Sequence, residues 1–122
     1  MTKRQKIELQ KYFTDAHNHV LKRLEERYPD RNITIKDLKE APCIKLFPTR
    51  GDNNWVTCCL INDEFVFYVR DRVTHMFNTV LTMEQVKARI EKWGLDITFT
   101  ESELRHSIQS IYKTLETWRE GE

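Results

Sequence analysis

The chain has 122 residues, of which 39% are hydrophobic and 32% charged, with only three glycines and three prolines. That length suits one domain spanning residues 1–122, and that balance excludes disordered, collagen-like and disulfide-stapled classes. The formal net charge is +1, but residues 1–50 hold twelve Lys or Arg against seven Asp or Glu, and residues 51–122 hold eight against twelve. The first half therefore carries a surplus of five positive charges and the second a surplus of four negative ones, an asymmetry able to steer a partner.

No stretch reaches the roughly 18 consecutive apolar residues of a membrane span, and the opening MTKRQKIELQKYF lacks the apolar core of a signal peptide. A cytoplasmic protein with no membrane partner is expected. Cys43, Cys58 and Cys59 are odd in number, and adjacent strand residues point to opposite faces, so reduced thiols are expected rather than a disulfide framework. The small size and high charge fit a bacterial or phage protein.

In chain order, Leu9, Phe13, Ala16, Val20 and Leu24 recur at spacings of three and four, with Tyr12, Leu21 and Tyr28 widening the stripe, and predict a long first helix over residues 3–28. Thr2 and Gln5 fit a capping box, and Pro29 with Asp30 supplies the stop. ITIKDLKEAP reads as a loop with one short extended or helical piece. CIKLF, NWVTCCLI and EFVFYVRD are rich in β-branched and aromatic residues and predict three strands, with RVTHMFNTV as a candidate fourth. Asn62 and Asp63 form the tight turn between the second and third. Thr82 and Gln85 cap a helix with stripe Met83, Val86, Ile90 and Trp93, stopped at Gly94. LDITF is a connector or a short extra strand. Thr100 and Glu103 cap a last helix with stripe Leu104, Ile108, Ile111, Leu115 and Trp118. The expected fold is α+β: a long N-terminal helix, an antiparallel meander sheet of three or four strands, and two C-terminal helices.

A two-residue turn at Asn62 and Asp63 fixes the hairpin register. One face carries Leu60 with Phe65, Cys58 with Phe67 and Val56 with Val69, and is read as the core side. The other carries Ile61 with Glu64, Cys59 with Val66, Thr57 with Tyr68, and Trp55 with Arg70. Placing Ile44 and Leu46 toward the core adds Lys45 and Phe47 to this second face. The candidate surface is then Lys45, Phe47, Trp55, Tyr68 and Arg70, with Arg70 over the indole of Trp55 as a cation–π pair.

Three readings of this face compete. A helix covers it and makes a three-layer sandwich; or it is a protein interface, for which Trp, Tyr, Phe and Arg are the expected residue types; or it is a platform for single-stranded nucleic acid. The near-zero net charge counts against the last. A second candidate feature is the first helix, where Lys3, Arg4 and Lys6 crowd the positive end of the helix dipole, with Lys11 beyond. Either that end frays or an acidic partner contacts it.

His17 and His19 stand two apart, so on a helix they point roughly 200° apart and cannot share an ion. No metal or cofactor site is expected. The sequence shows no glycine-rich phosphate loop and no catalytic signature; Cys59, on the second face, is the single nucleophile worth naming, and no small-molecule substrate is implied. Arg50–Gly51–Asp52 reads as turn chemistry. The expectation is a small non-enzymatic regulatory or inhibitory protein that binds a protein partner, or a second copy of itself, through the aromatic and cationic sheet face and the basic first helix. Single-stranded nucleic-acid binding by the same surface is the alternative.

Overall fold

The structure, a computed structural model, describes the backbone of residues 2–49 and 53–120, and the side chains of these except residues 9, 12–14, 112 and 115–120. The RGD string therefore lies outside the described residues, and the side chains of the stripe positions Leu9, Tyr12, Phe13, Leu115 and Trp118 lie outside the described ones. The elements are α1 (Lys3–Arg27), α2 (Ile35–Glu40), β1 (Cys43–Pro48), β2 (Asn54–Ile61), β3 (Glu64–Asp71), β4 (Phe77–Leu81), α3 (Met83–Lys92) and α4 (Glu101–Glu120). The four strands form one antiparallel meander in the order β1-β2-β3-β4. This is an α+β fold.

Helix starts follow local chemistry. Thr2 with Gln5, Thr82 with Gln85 and Thr100 with Glu103 make reciprocal capping boxes, each side chain meeting the other residue's backbone N–H. A fourth pair, Thr34 with Asp37, starts α2, the short piece that the sequence left open between helix and strand. Asn62 and Asp63 have φ of 51° and 64°, the left-handed pair that a two-residue hairpin turn requires. The expected register holds along the whole hairpin, from Asn54 opposite Asp71 to Ile61 opposite Glu64. Asp63 is further tied to α4 by an ion pair with Arg105.

Helices pack on both faces of the sheet. On one side Phe47, Val56, Cys58, Phe67, Val69 and Leu81 pack with Val86 of α3 and with Leu104 and Ile108 of α4. LDITF forms no strand, and its Leu95, Ile97 and Phe99 pack half-buried into this cluster. On the other side Cys59, Val66, Tyr68, Phe77 and Val80 pack with Val20 and Leu24 of α1, with Tyr28 just beyond its end, and with Leu38 of α2. A sheet sandwiched in this way reads as near-continuous apolar runs, which explains why both faces of TCCLINDEFVFYVR are apolar. At roughly 1.5–3 kcal/mol for each large apolar side chain fully buried, neither face can be left open without losing a substantial part of the stability.

Candidate functional site

The covering of the second face corrects the expected surface. Tyr68 is 1% exposed and packs edge-on against Phe77, with ring centroids 5.1 Å apart. Phe47 is also buried, but on the opposite side of the sheet. A bulge at Leu46 lets Lys45 pair with Thr57 and Phe47 with Val56, which turns Phe47 toward α3, where it meets Trp93 edge-on at 6.2 Å. Unbroken alternation in β1 would put Phe47 on the second face, and one extra residue reverses it. Trp55 is half-buried, and Lys45 is exposed on the edge strand β1. An aromatic platform for stacked bases does not exist at these positions, because two of its three rings are in the core.

Arg70 keeps its place opposite Trp55 in the ladder, but its guanidinium lies over Phe77, 4.6 Å from the ring centre, instead of over the indole. Its Nε donates to the carbonyl of His75 at 2.9 Å. His75 has φ of 63°, a left-handed conformation at the end of the β3–β4 connection, and this backbone geometry brings its carbonyl to Arg70. Nearby, the Asp71 carboxylate accepts the N–H groups of Thr74 and Val73, which hold its pKa below the usual range.

Arg70, Thr74, His75 and Phe77 belong to a pocket of about 340 Å³ that α1 and α2 leave open at the β3–β4 end of the covered face. Val20 and Phe77 are its buried apolar lining, with Ala16, Ile35 and Met76 partly buried beside them. Its polar lining consists of His17, Lys39, Arg70, Thr74 and His75, with no carboxylate. Lys39 is exposed, and Arg70 is half-buried and held in place by the two contacts just given. A group with an anionic head and a small apolar body matches both parts of this lining.

Of this set only Arg70 belongs to the surface expected from the hairpin register. His17, Lys39 and His75 come from three separate segments, and no local spacing signals their convergence. His17 and His19 do point apart as expected, each lining a different cleft on a different flank of α1. Among the described residues there is no cluster of three or more His, Cys, Asp or Glu able to hold a metal.

Of the basic residues on α1, Lys3, Arg4, Lys6 and Lys11 are exposed, with Arg4 facing Glu8 at 3.5 Å. Every described side chain from Lys3 to Asp15 is exposed, including Ile7 at 57%, whereas Val20, Leu24 and Tyr28 anchor the other end. Cys59 is not on a surface. It is fully buried, as is Cys58, and burial pushes the Cys58 thiol up to about 12 and the Cys59 thiol higher still. Neither is a nucleophile in this fold. Among the described residues no helix is long and apolar enough to cross a membrane.

Compared with known proteins, the chain matches no family model, no curated protein and no solved structure.

Proposed function

We propose that the chain is a small non-enzymatic regulatory or inhibitory protein that acts by binding an acidic segment of a partner protein. The contact is made at the pocket between α1, α2 and the β3–β4 end, and extends along the basic N-terminal turns of α1. The observation that carries this reading is a pocket with apolar walls lined by His17, Lys39, Arg70 and His75, with no carboxylate among its lining residues and Asp71 beside His75 at its rim. On α1, Lys6 and Lys3 stand eleven and fourteen residues before His17, close to three and four whole turns along the same flank, so one extended acidic segment reaches both. Cytoplasmic location agrees with three free cysteines.

Magnitudes set what kind of binding this is. Ion pairs at exposed cations contribute about 0.2–1 kcal/mol each, whereas an apolar side chain covering ~100 Å² in the pocket contributes about 2.5 kcal/mol. The apolar insertion therefore supplies most of the affinity, while the cations select acidic sequences and speed the encounter.

The test is a selection from a random peptide library displayed against the whole chain, repeated with the double variant Lys39→Glu and Arg70→Glu. The expected result is enrichment of segments in which Asp or Glu flanks a large apolar residue, lost in the double variant. Enrichment of basic segments, equal enrichment with the double variant, or no enrichment overturns the proposal.

A further inference from the structure

The opposite flank of α1 carries a second, separate concentration of positive charge. His19, Arg23 and Arg27 are spaced four residues apart and so form one row along the helix. This row lies beside β4, an edge strand of the sheet, and α3 stands on the other side of that edge. Between them is a cleft of about 310 Å³ lined by His19, Arg23 and Arg27 of α1, Thr79 and Leu81 of β4, and Gln85, Ala88 and Arg89 of α3. Three arginines from two helices thus line one cleft, and its lining contains no carboxylate.

Each arginine is positioned by a contact that leaves donors over. Arg27 donates to the carbonyl of Val80 on the edge strand. Arg89 lies over the ring of Trp93, 5.8 Å from its centre. Arg23 pairs with Glu26 at 2.7 Å, and against that carboxylate the three arginines leave two positive charges in surplus. The cluster is not favourable on its own terms, because like charges one turn apart on a helix repel each other and destabilise it. Burial, and then the charges of Arg23 and Arg89, make Arg27 a weaker base than a free guanidinium, although it stays protonated at neutral pH. A bound anion of charge two removes that repulsion. Guanidinium groups also match the oxygens of a phosphate in pairs, two N–H groups to two oxygens, which a single carboxylate cannot satisfy from three arginines at once.

We propose that the cleft between α1 and α3, beside the edge strand β4, is a binding site for a phosphate-monoester dianion held by Arg23, Arg27 and Arg89. Gln85 supplies an amide donor on the same wall, and Ala88, having only a methyl group, leaves room for the phosphate beside Arg89. The site is independent of the pocket at Arg70, since the two lie on opposite flanks of α1 and share no lining residue.

The experiment titrates the whole chain with three probes: inorganic phosphate, a phosphoserine-containing tetrapeptide, and adenosine 5′-monophosphate. Binding is read from the Nε–Hε NMR signals of the arginine side chains. The expected result is that at least one probe shifts the signals of Arg23, Arg27 and Arg89 together, with affinity in the millimolar range or tighter. Arg89→Gln should weaken binding about tenfold, while Arg31→Gln leaves it unchanged. Arg89 is the preferred variant because Arg27 also bonds the sheet edge, so its replacement can affect folding. Tighter binding of the peptide than of the nucleotide assigns the dianion to a phosphoprotein, and the reverse assigns it to a nucleotide. If no probe shifts these signals, or if Arg89→Gln binds as well as the parent chain, the proposal is wrong.

Discussion

The phenol of Tyr28, just past the end of α1, donates its proton to the backbone carbonyl of Leu81 on β4 at 2.5 Å and accepts the N–H of Phe67 on β3 at 3.1 Å. One side chain thus bridges two neighbouring strands at residues that pair in the ladder, and ties α1 to both. Replacing it by phenylalanine keeps the ring but leaves a buried donor and a buried acceptor unmatched. Tyr28→Phe is expected to cost about 1–3 kcal/mol. A urea titration with an unchanged midpoint would show that the bridge contributes nothing net.

The same burial predicts alkaline sensitivity. Desolvation raises the Tyr28 phenol from 10.0 to about 12 and the Cys58 thiol from 9.0 to about 12. Below pH 9 folded and unfolded chains both hold these protons, and stability has its full value. Between pH 9 and 12 the unfolded chain releases them while the folded chain retains them, so stability falls as pH rises. Tyr28 alone accounts for about 2–3 kcal/mol of that loss. Tyr28→Phe should therefore flatten the decline above pH 10 as well as lower the starting value. An equal slope in the two proteins excludes Tyr28 as its source.

Thiol reactivity separates the three cysteines. Cys43 is half-buried on the edge strand β1, while Cys58 and Cys59 are enclosed on opposite sides of the sheet. Under native conditions near pH 8 a thiol-specific reagent is expected to label Cys43 first, and all three only in denaturant. Rapid native labelling of Cys59 would mean that the α1 and α2 cover opens readily.

Two neighbours in β1 should behave oppositely. Phe47→Ala removes a buried ring that packs against Trp93 and is expected to cost about 3–5 kcal/mol. Lys45→Ala removes an exposed side chain and should stay within about 0.5 kcal/mol of the parent. A mild Phe47→Ala variant would place that ring outside the core and restore it as a surface candidate.

Much of the architecture is local and so was readable in the residues. Capping pairs, the left-handed turn at Asn62 and Asp63, and the hairpin register depend on neighbours within a few positions, and the stripe members Val20, Leu24, Leu104 and Ile108 are buried as their spacing requires. The sequence also determined that both faces of the hairpin are apolar. Which helix covers each face was decided only in three dimensions, because an amphipathic stripe states that a helix has a buried side and not what it is buried against. The bulge at Leu46 likewise has no local signature, yet it moved Phe47 from one face to the other. Both cationic clefts are tertiary for the same reason: Lys39 meets Arg70, and Arg27 meets Arg89, only after the chain has closed loops of tens of residues, and periodicity of a few residues carries no information about partners at that separation.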